Sequence, residues 1–342
     1  MRQEDYHFSG KIVSCYFDAP FSTIASIADI TRVVIVTDEN VFDLHKEKFE
    51  KVPRIVIKAG EQHKQQASVD YIISELLKQG ADKQTILLGV GGGVVTDITG
   101  YAASIYKRGI GLALAPTSIL AMVDAAIGGK NGVDAGIYKN MVGTVYQPSF
   151  VLYDYDFLNS LPSAEWINGF AEIIKHACIK DATMFAMLEM NTLEKFQEDA
   201  RLTSALIEKN VQIKLAVVTE DEFETGDRKL LNFGHTIGHA IENLHGLPHG
   251  HAVSIGMIAA CNFSEKINNL HFEEAKRVVQ LLSTYHLPVD IETNHDKVFE
   301  VLKLDKKVKA DSVDFIFLDA IGKARVKAIK LETLQQHFKT IL

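Results

Sequence analysis

The first half of the chain alternates short β-branched runs with longer stretches whose apolar residues recur at helical spacing. Segments 32–38 (RVVIVTD), 54–58 (RIVIK), 85–90 (TILLGV), 111–115 (GLALA) and 150–153 (FVLY) read as strands buried on both faces. Between them, 66–79 sets Val69, Ile72, Ile73, Leu76 and Leu77 on one helical face. Strand–helix alternation of this kind predicts a mostly parallel sheet covered by helices, with ligands beyond the carboxyl ends of the strands. From about residue 163 the period becomes helical almost throughout, and helices are predicted over 164–179, 183–193, 201–219, 231–244, 252–267 and 272–285. Leu161-Pro162-Ser163 marks the change, with Ser163 as a helix cap. The expectation is an α/β domain over 1–160 and a mainly α-helical domain over 161–342. Within the latter, 313–318 and 323–329 flank Ile321-Gly322 and predict a small hairpin.

Composition narrows the class. The 342 residues are 47% apolar and 23% charged, which is globular and about two domains long. A formal charge of −8 argues against nucleic acid or an anionic membrane as main partner. Cys15, Cys178 and Cys261 are too few and too widely spaced for a disulfide framework. The N-terminus has no apolar signal core, and the longest apolar stretches, such as 253–261, fall short of the roughly 18 residues needed to span a bilayer. A soluble, cytoplasmic protein is expected.

Candidate chemistry begins at Gly91-Gly92-Gly93, which follows a strand and opens a helical segment. Glycines admit a ligand close to the backbone, and a helix N-terminus offers N–H groups to a phosphate. Neither common phosphate signature is present. Val94 takes the third glycine place of G-x-G-x-x-G, and Gly129-Lys130 is followed by Asn131, with Asp124 where a Walker A loop starts. Asp38, ending a strand, can accept from a ribose; by itself it reads as a helix cap. Thr117, Ser118, Asp124, Lys130, Lys139 and Asn140 lie among glycine and apolar positions and suit a phosphate- or carboxylate-bearing ligand.

Five of the 13 histidines fall between 235 and 251, where an even spread would place fewer than one. A helix puts Asn232, His235 and His239 on one face, and Gly234 and Gly238 beside them leave room for a bound group. Converging imidazoles point to a zinc-like metal. Glu172 is the candidate third ligand, with Lys175 and His176 sharing its face; the same spacing also describes an ordinary surface pair.

Six ordered segments resemble the 3-dehydroquinate synthase family of sugar-phosphate cyclases: Gly60-Glu61-Gln62-His63-Lys64; 91–97; Tyr106-Lys107-Arg108-Gly109; 116–130 with Lys139-Asn140; Ala171-Glu172-Ile173-Ile174-Lys175; and 231–239 with His249-Gly250. The resemblance implies a Rossmann-like domain carrying NAD, a helical domain carrying Zn2+ or Co2+, and an active site in the cleft. It implies conversion of 3-deoxy-D-arabino-heptulosonate 7-phosphate to 3-dehydroquinate and phosphate by transient oxidation, elimination, re-reduction and aldol cyclisation. That is a shikimate-pathway step toward aromatic amino acids. By matching position, Asp38, Asn40, Glu61, Lys64, Gly92, Gly93, Asp97, Thr117, Ser118, Lys130, Lys139, Phe157 and Ser160 would meet NAD. Glu172, His235 and His249 would hold the metal. Asp124, Lys130, Asn140, Lys175, Lys214, Arg228, Asn232 and His239 would line the substrate pocket, joined by Lys306 or Lys307. Arg108 would reach a neighbouring subunit's phosphate site, which implies a homodimer.

Four positions depart from the family pattern: Thr96, Ser118, Ser160 and, above all, His251, which stands where glutamate is usual and competes with His249 as a ligand. Two other readings stay open: a valiolone- or inosose-type cyclase, and a metal-dependent alcohol or glycerol dehydrogenase. Asn232 and His239 argue against the valiolone type. The assembled cations Lys130, Lys175, Lys214 and Arg228 argue against a dehydrogenase.

Overall fold

The computed structural model describes residues 1–136, 138–304, 308–309 and 311–342. They form two compact units: Met1–Glu165 with Ser204–Glu222, and Trp166–Thr203 with Phe223–Leu342. The sequence pattern predicts one boundary at 160/161, whereas the chain passes between units three times. The cause is a long unbroken helix, Ala200–Glu220, whose start belongs to one unit and whose remainder belongs to the other.

The first unit carries strands β1 (Arg2–Phe8), β2 (Lys11–Phe17), β3 (Val33–Asp38), β4 (Arg54–Ile57), β5 (Ile86–Gly91), β6 (Gly111–Pro116), β7 (Lys130–Ala135), β8 (Tyr138–Val145) and β9 (Phe150–Tyr153). Its helices are α1 (Ile24–Ile27), α2 (Glu39–Leu44), α3 (Gln66–Lys78) and α4 (Gly93–Ile105). Seven strands make one sheet in the order β1-β2-β9-β6-β5-β3-β4. Only β1 and β2 pair antiparallel; the other pairs are parallel. Four of the predicted apolar strands, β9, β6, β5 and β3, are central and almost wholly buried, whereas β4, expected to be buried on both faces, is the edge strand, with Arg54 exposed and only Ile55 and Ile57 buried. In α3, Val69, Ile72 and Leu76 are buried as its period predicts, but Ile73 is only half-buried and Leu77, expected on the same face, is exposed. The order reverses between β3 and β5, where Thr37 pairs with Val90. In an open parallel sheet such a switch point leaves a crevice beyond the strand ends.

Two hairpins escape the sequence reading. β1 alternates without a buried face, and β8 is mostly exposed, so neither shows the apolar run that marks a sheet interior.

The second unit is mainly helical. Helix α5 (Ser163–Lys180) leads into it, followed by α6 (Ala182–Glu189), α7 (Leu193–Glu198) and the start of α8 (Ala200–Glu220). Then come α9 (His235–His245), α10 (His249–Asn268), α11 (Phe272–Thr284), α12 (His295–Leu302) and α13 (Leu331–Ile341). Strands β10 (Val308–Lys309), β11 (Ser312–Ala320) and β12 (Lys323–Lys330) form an antiparallel sheet, which contains the predicted hairpin. The helix expected over 231–244 begins only at His235. Asp227–Asn232 is a 3-10 turn, and Gly234 is left-handed at φ 79°. The helix expected from 252 begins earlier, at His249. No helix among the described residues is long and apolar enough to cross a membrane.

Candidate active site

The carboxyl ends of β3, β5 and β6 carry five of the residues singled out for the cofactor: Asp38, Gly92, Gly93, Thr117 and Ser118. Asp38 ends β3, and its Oδ1 accepts from Val41 N at 3.0 Å, so it caps α2. Burial raises its carboxyl pKa above the usual range. Gly92 is the N-cap of α4 and Gly93 its first residue, so the glycine turn leads straight into a helix N-terminus. A Cβ on Gly93 would press on Ala125 at 3.3 Å, whereas one on Gly92 would make only ordinary contact with Ser118 Oγ at 3.5 Å. Thr117 N donates to Gly91 O at 3.0 Å, which ties the end of β6 to this turn. Thr117 and Ser118 are buried. Asn40 is exposed on α2.

Beside these ends lies a network of opposite charges. Lys64 is buried, and its Nζ lies 2.5 Å from Asp97 Oδ2 and 2.7 Å from Asn140 Oδ1. Burial opposes the Lys64 charge, but Asp97, Glu61 and Asp134 outweigh it and raise its pKa. Lys139 bonds Glu61 at 2.9 Å and lies 3.5 Å from Asp134. Lys214, in the part of α8 that belongs to this unit, bonds Asp124 Oδ1 at 2.7 Å and the Asp124 carbonyl. Lys130 is exposed at the start of β7.

Two expected residues sit elsewhere in this unit. Phe157 lies in the hydrophobic core with Phe21 and Phe49, 1% exposed. Ser160 Oγ bonds His45 Nε2 at 2.8 Å and donates to the Phe157 carbonyl at 3.1 Å. Arg108 is exposed in the turn Tyr106–Arg108.

In the second unit, α5, α9 and α10 bring Glu172, His235 and His249 together. A Cβ on Gly238 would lie 2.9 Å from Ala252 O, and one on Gly256 would lie 2.0 Å from Gly234 O. The glycines thus let α9 lie against α10. The room expected for a bound group beside Gly234 and Gly238 is filled by that helix. Asn232 precedes α9, so it does not share a helical face with His235 and His239 as its spacing predicts.

Glu172 is fully buried, and Oε1 lies 3.6 Å from His235 Nε2 and 3.5 Å from His249 Nε2. The second ring nitrogens are anchored. His235 Nδ1 lies 3.1 Å from Phe233 O, and His249 Nδ1 lies 3.0 Å from Glu242 Oε2. Burial disfavours a charged His249, yet Glu172 and Glu242 together raise its pKa to about 10. A zinc-type ion bonded at 2.0–2.2 Å holds tetrahedral ligands about 3.4 Å apart. The separations match that edge, so these three side chains fit a divalent metal. Lys175 is buried and bonded to Glu172 Oε2. The His239 ring lies 5.2 Å from that of His235. Among the described residues His251 belongs to no such cluster. His245 bonds Thr293 Oγ1 instead. Arg228 is buried, and Asn232 Nδ2 donates to Glu224 Oε1 at 2.6 Å. Lys306 and Lys307 lie outside the described residues.

Family models described as 3-dehydroquinate synthase N-terminal and C-terminal match residues 54–168 and 169–308. The chain belongs to the 3-dehydroquinate synthase family. A 3-dehydroquinate synthase of Pyrococcus abyssi is 38% identical over 328 residues, covering 93% of this chain and 96% of the relative. That of Thermodesulfovibrio yellowstonii is 40% identical over 288 residues, covering 83% and 80%. Among solved structures, the 2-epi-5-epi-valiolone synthase of Streptomyces hygroscopicus subsp. jinggangensis, with NAD+ and Zn2+ bound, is 28% identical with a TM-score of 0.87. It covers 100% of this chain and 98% of that one.

In this 3-dehydroquinate synthase family member, sequence reasoning missed Glu242 and Glu224. Glu242 had a signal: it lies seven residues after His235 and three after His239, on the same helical face. Glu224 had none, since it reaches Asn232 from an irregular segment with φ 59°.

Proposed function

We propose that the chain is a 3-dehydroquinate synthase that converts 3-deoxy-D-arabino-heptulosonate 7-phosphate to 3-dehydroquinate and phosphate. The net reaction is redox-neutral, because oxidation at C5 is reversed before the ring opens and recloses by an aldol step. The supporting observation is the convergence of two imidazole Nε2 atoms on one buried Glu172 oxygen, in a chain 38–40% identical to 3-dehydroquinate synthases over most of its length.

Bound NAD supplies a hydride acceptor and donor, and a metal on Glu172, His235 and His249 polarises the oxygens it holds. On this reading Asp38 and Asn40 take the adenosine side of NAD. Gly92, Gly93 and Asp97 take its pyrophosphate region, with Glu61, Lys64, Lys139, Thr117 and Ser118 around it. Phe157 and Ser160 support that site from the core side. Lys130, Asn140, Lys175, Lys214, Arg228, Asn232 and Asp124 bind the substrate. Its carboxylate and phosphate suit several cations. His239 relays the hydroxyl proton. The leaving phosphate itself can take the C6 proton, so no separate protein base is assigned to that step. Arg108 extends to a phosphate bound by a second copy, so the enzyme works as a homodimer in the cytoplasm.

The test supplies protein, NAD, zinc and the heptulosonate phosphate, and follows phosphate and 3-dehydroquinate together. Equal yields, lost on chelation and without net NADH, are expected. Stoichiometric NADH would overturn the reading in favour of a dehydrogenase. Turnover of a different sugar phosphate alone would favour a valiolone- or inosose-type cyclase, and the structural likeness to the valiolone synthase makes that arm worth running.

A further inference from the structure

The turn between α4 and β6 is strained. Lys107 and Arg108 are consecutive non-glycine residues at φ 48° and 61°, followed by Gly109 at φ 101°. L side chains avoid this left-handed region, and residues persist there only where their surroundings over-determine them. Part of the surroundings pins the ends of the turn. Gly109 N donates to Tyr106 O at 2.9 Å, Tyr106 Oη donates to Ala81 O at 2.9 Å, and Tyr146 Oη donates to Ile110 O at 2.7 Å.

The middle of the turn is held by Lys83, from the loop ahead of β5. Its ammonium donates to the carbonyls of Lys107 at 2.9 Å, Arg108 at 3.3 Å and Gly109. A lysine has three N–H donors and no acceptor, and here three carbonyls in succession face them. The Lys107 ammonium is turned back over the Tyr106 ring, 5.8 Å from its centre. The Arg108 guanidinium is exposed and has no ion pair among the described residues. The strained turn therefore offers one cation outward.

We infer that Lys83 is a positioning residue for Arg108: it clamps the left-handed turn so that the guanidinium is presented to a phosphate group bound by a second copy of this chain. The inference rests on the proposed role of Arg108. Lys83 touches no reacting atom, so its loss acts on substrate capture rather than on the chemical step.

The test compares Lys83→Met, Lys83→Arg, Arg108→Ala and the double variant Lys83→Met/Arg108→Ala, all as full chains with NAD and zinc. Arg108→Ala is expected to raise KM about tenfold or more, the scale of losing a charge-assisted bond. Lys83→Met should raise KM about three- to tenfold with kcat within about twofold, and Lys83→Arg, whose planar fork cannot meet all three carbonyls from one point, should restore only part of it. In the Arg108→Ala background, Lys83→Met should add nothing, because the two act as a unit. A wild-type KM for Lys83→Met, or the same factor in both backgrounds, would overturn the positioning role alone. An unchanged KM for Arg108→Ala would overturn the Arg108 role, and the Lys83 role with it.

Discussion

The charged network of the first unit runs from the buried Lys64 out to the exposed Glu61, whereas the histidine cluster of the second closes on the fully buried Glu172. In the network each cation meets an acid or amide of the same unit: Lys64 with Asp97, Lys139 with Glu61, Lys214 with Asp124. Its electrostatics are balanced within the protein. In the cluster, two ring nitrogens converge on one carboxylate oxygen while their opposite nitrogens are tied to Phe233 O and Glu242. Against the opposing effect of burial, that arrangement raises the His249 pKa, because Glu172 and Glu242 favour positive charge where a metal cation would act. On the proposed function, network residues would serve stability as well as binding, whereas cluster residues would serve binding almost alone.

The largest test of that contrast removes a ligand. His235→Ala should abolish retention of zinc and lower turnover by more than about a thousandfold, the scale of losing several kcal/mol of metal stabilisation. The stability of the metal-free protein should move by no more than about 1 kcal/mol. Zinc content by metal analysis and thermal unfolding after chelation check both halves. Unchanged zinc content would remove His235 from the ligand set.

The matching test in the network is Lys64→Met. It leaves Asp97 buried without its cation, which should cost about 3 kcal/mol or more of stability in denaturant unfolding. Adding Asp97→Asn should recover much of that loss, because the orphaned charge is removed. If Lys64→Met unfolds at the wild-type denaturant concentration, the contrast between the two regions fails.

These two regions also differ in how far they could be read from residues alone. The parallel strands were legible because β3, β5 and β6 are apolar on both faces, and Gly91-Gly92-Gly93 fell where a strand meets a helix. Glu172, His235 and His249 were legible because clustered imidazoles are rare and the family segments are ordered. The path of α8 was not legible: its helical period continues unbroken through Thr203 and carries no mark of the unit it joins. The role of Gly234 and Gly238 was misread, since missing side chains signal close approach without saying whether a ligand or another helix approaches. The Asn232–His235 spacing failed for a related reason, because a left-handed Gly234 breaks the helix between them.

Between these extremes stands Glu242→Gln. The amide keeps the shape, but it is a weaker acceptor for His249 Nδ1–H and can also present a donor. Loss of such an outer partner weakens metal affinity by about 10–100-fold. Competition against a calibrated chelator measures this without any turnover. A wild-type zinc Kd would show that the cluster holds His249 by packing alone, which would bring it closer to the network in kind.

The smallest effect asks whether a residue can belong to both kinds at once. Asp38 caps α2 through Val41 N, yet it also sits at the switch point where a ribose would lie. Asparagine caps a helix about as well as aspartate, whereas alanine costs about 1 kcal/mol. Asp38→Ala should therefore lower stability by about that amount and weaken NAD binding. Asp38→Asn should leave stability within a few tenths of a kcal/mol while raising the NAD Kd about tenfold, because a neutral acceptor replaces a charged one. Calorimetric titration of NAD against the two variants separates the roles. If Asp38→Asn binds NAD as the wild type does, Asp38 is a cap and no more, and the carboxyl end of β3 belongs with the structural half of the network.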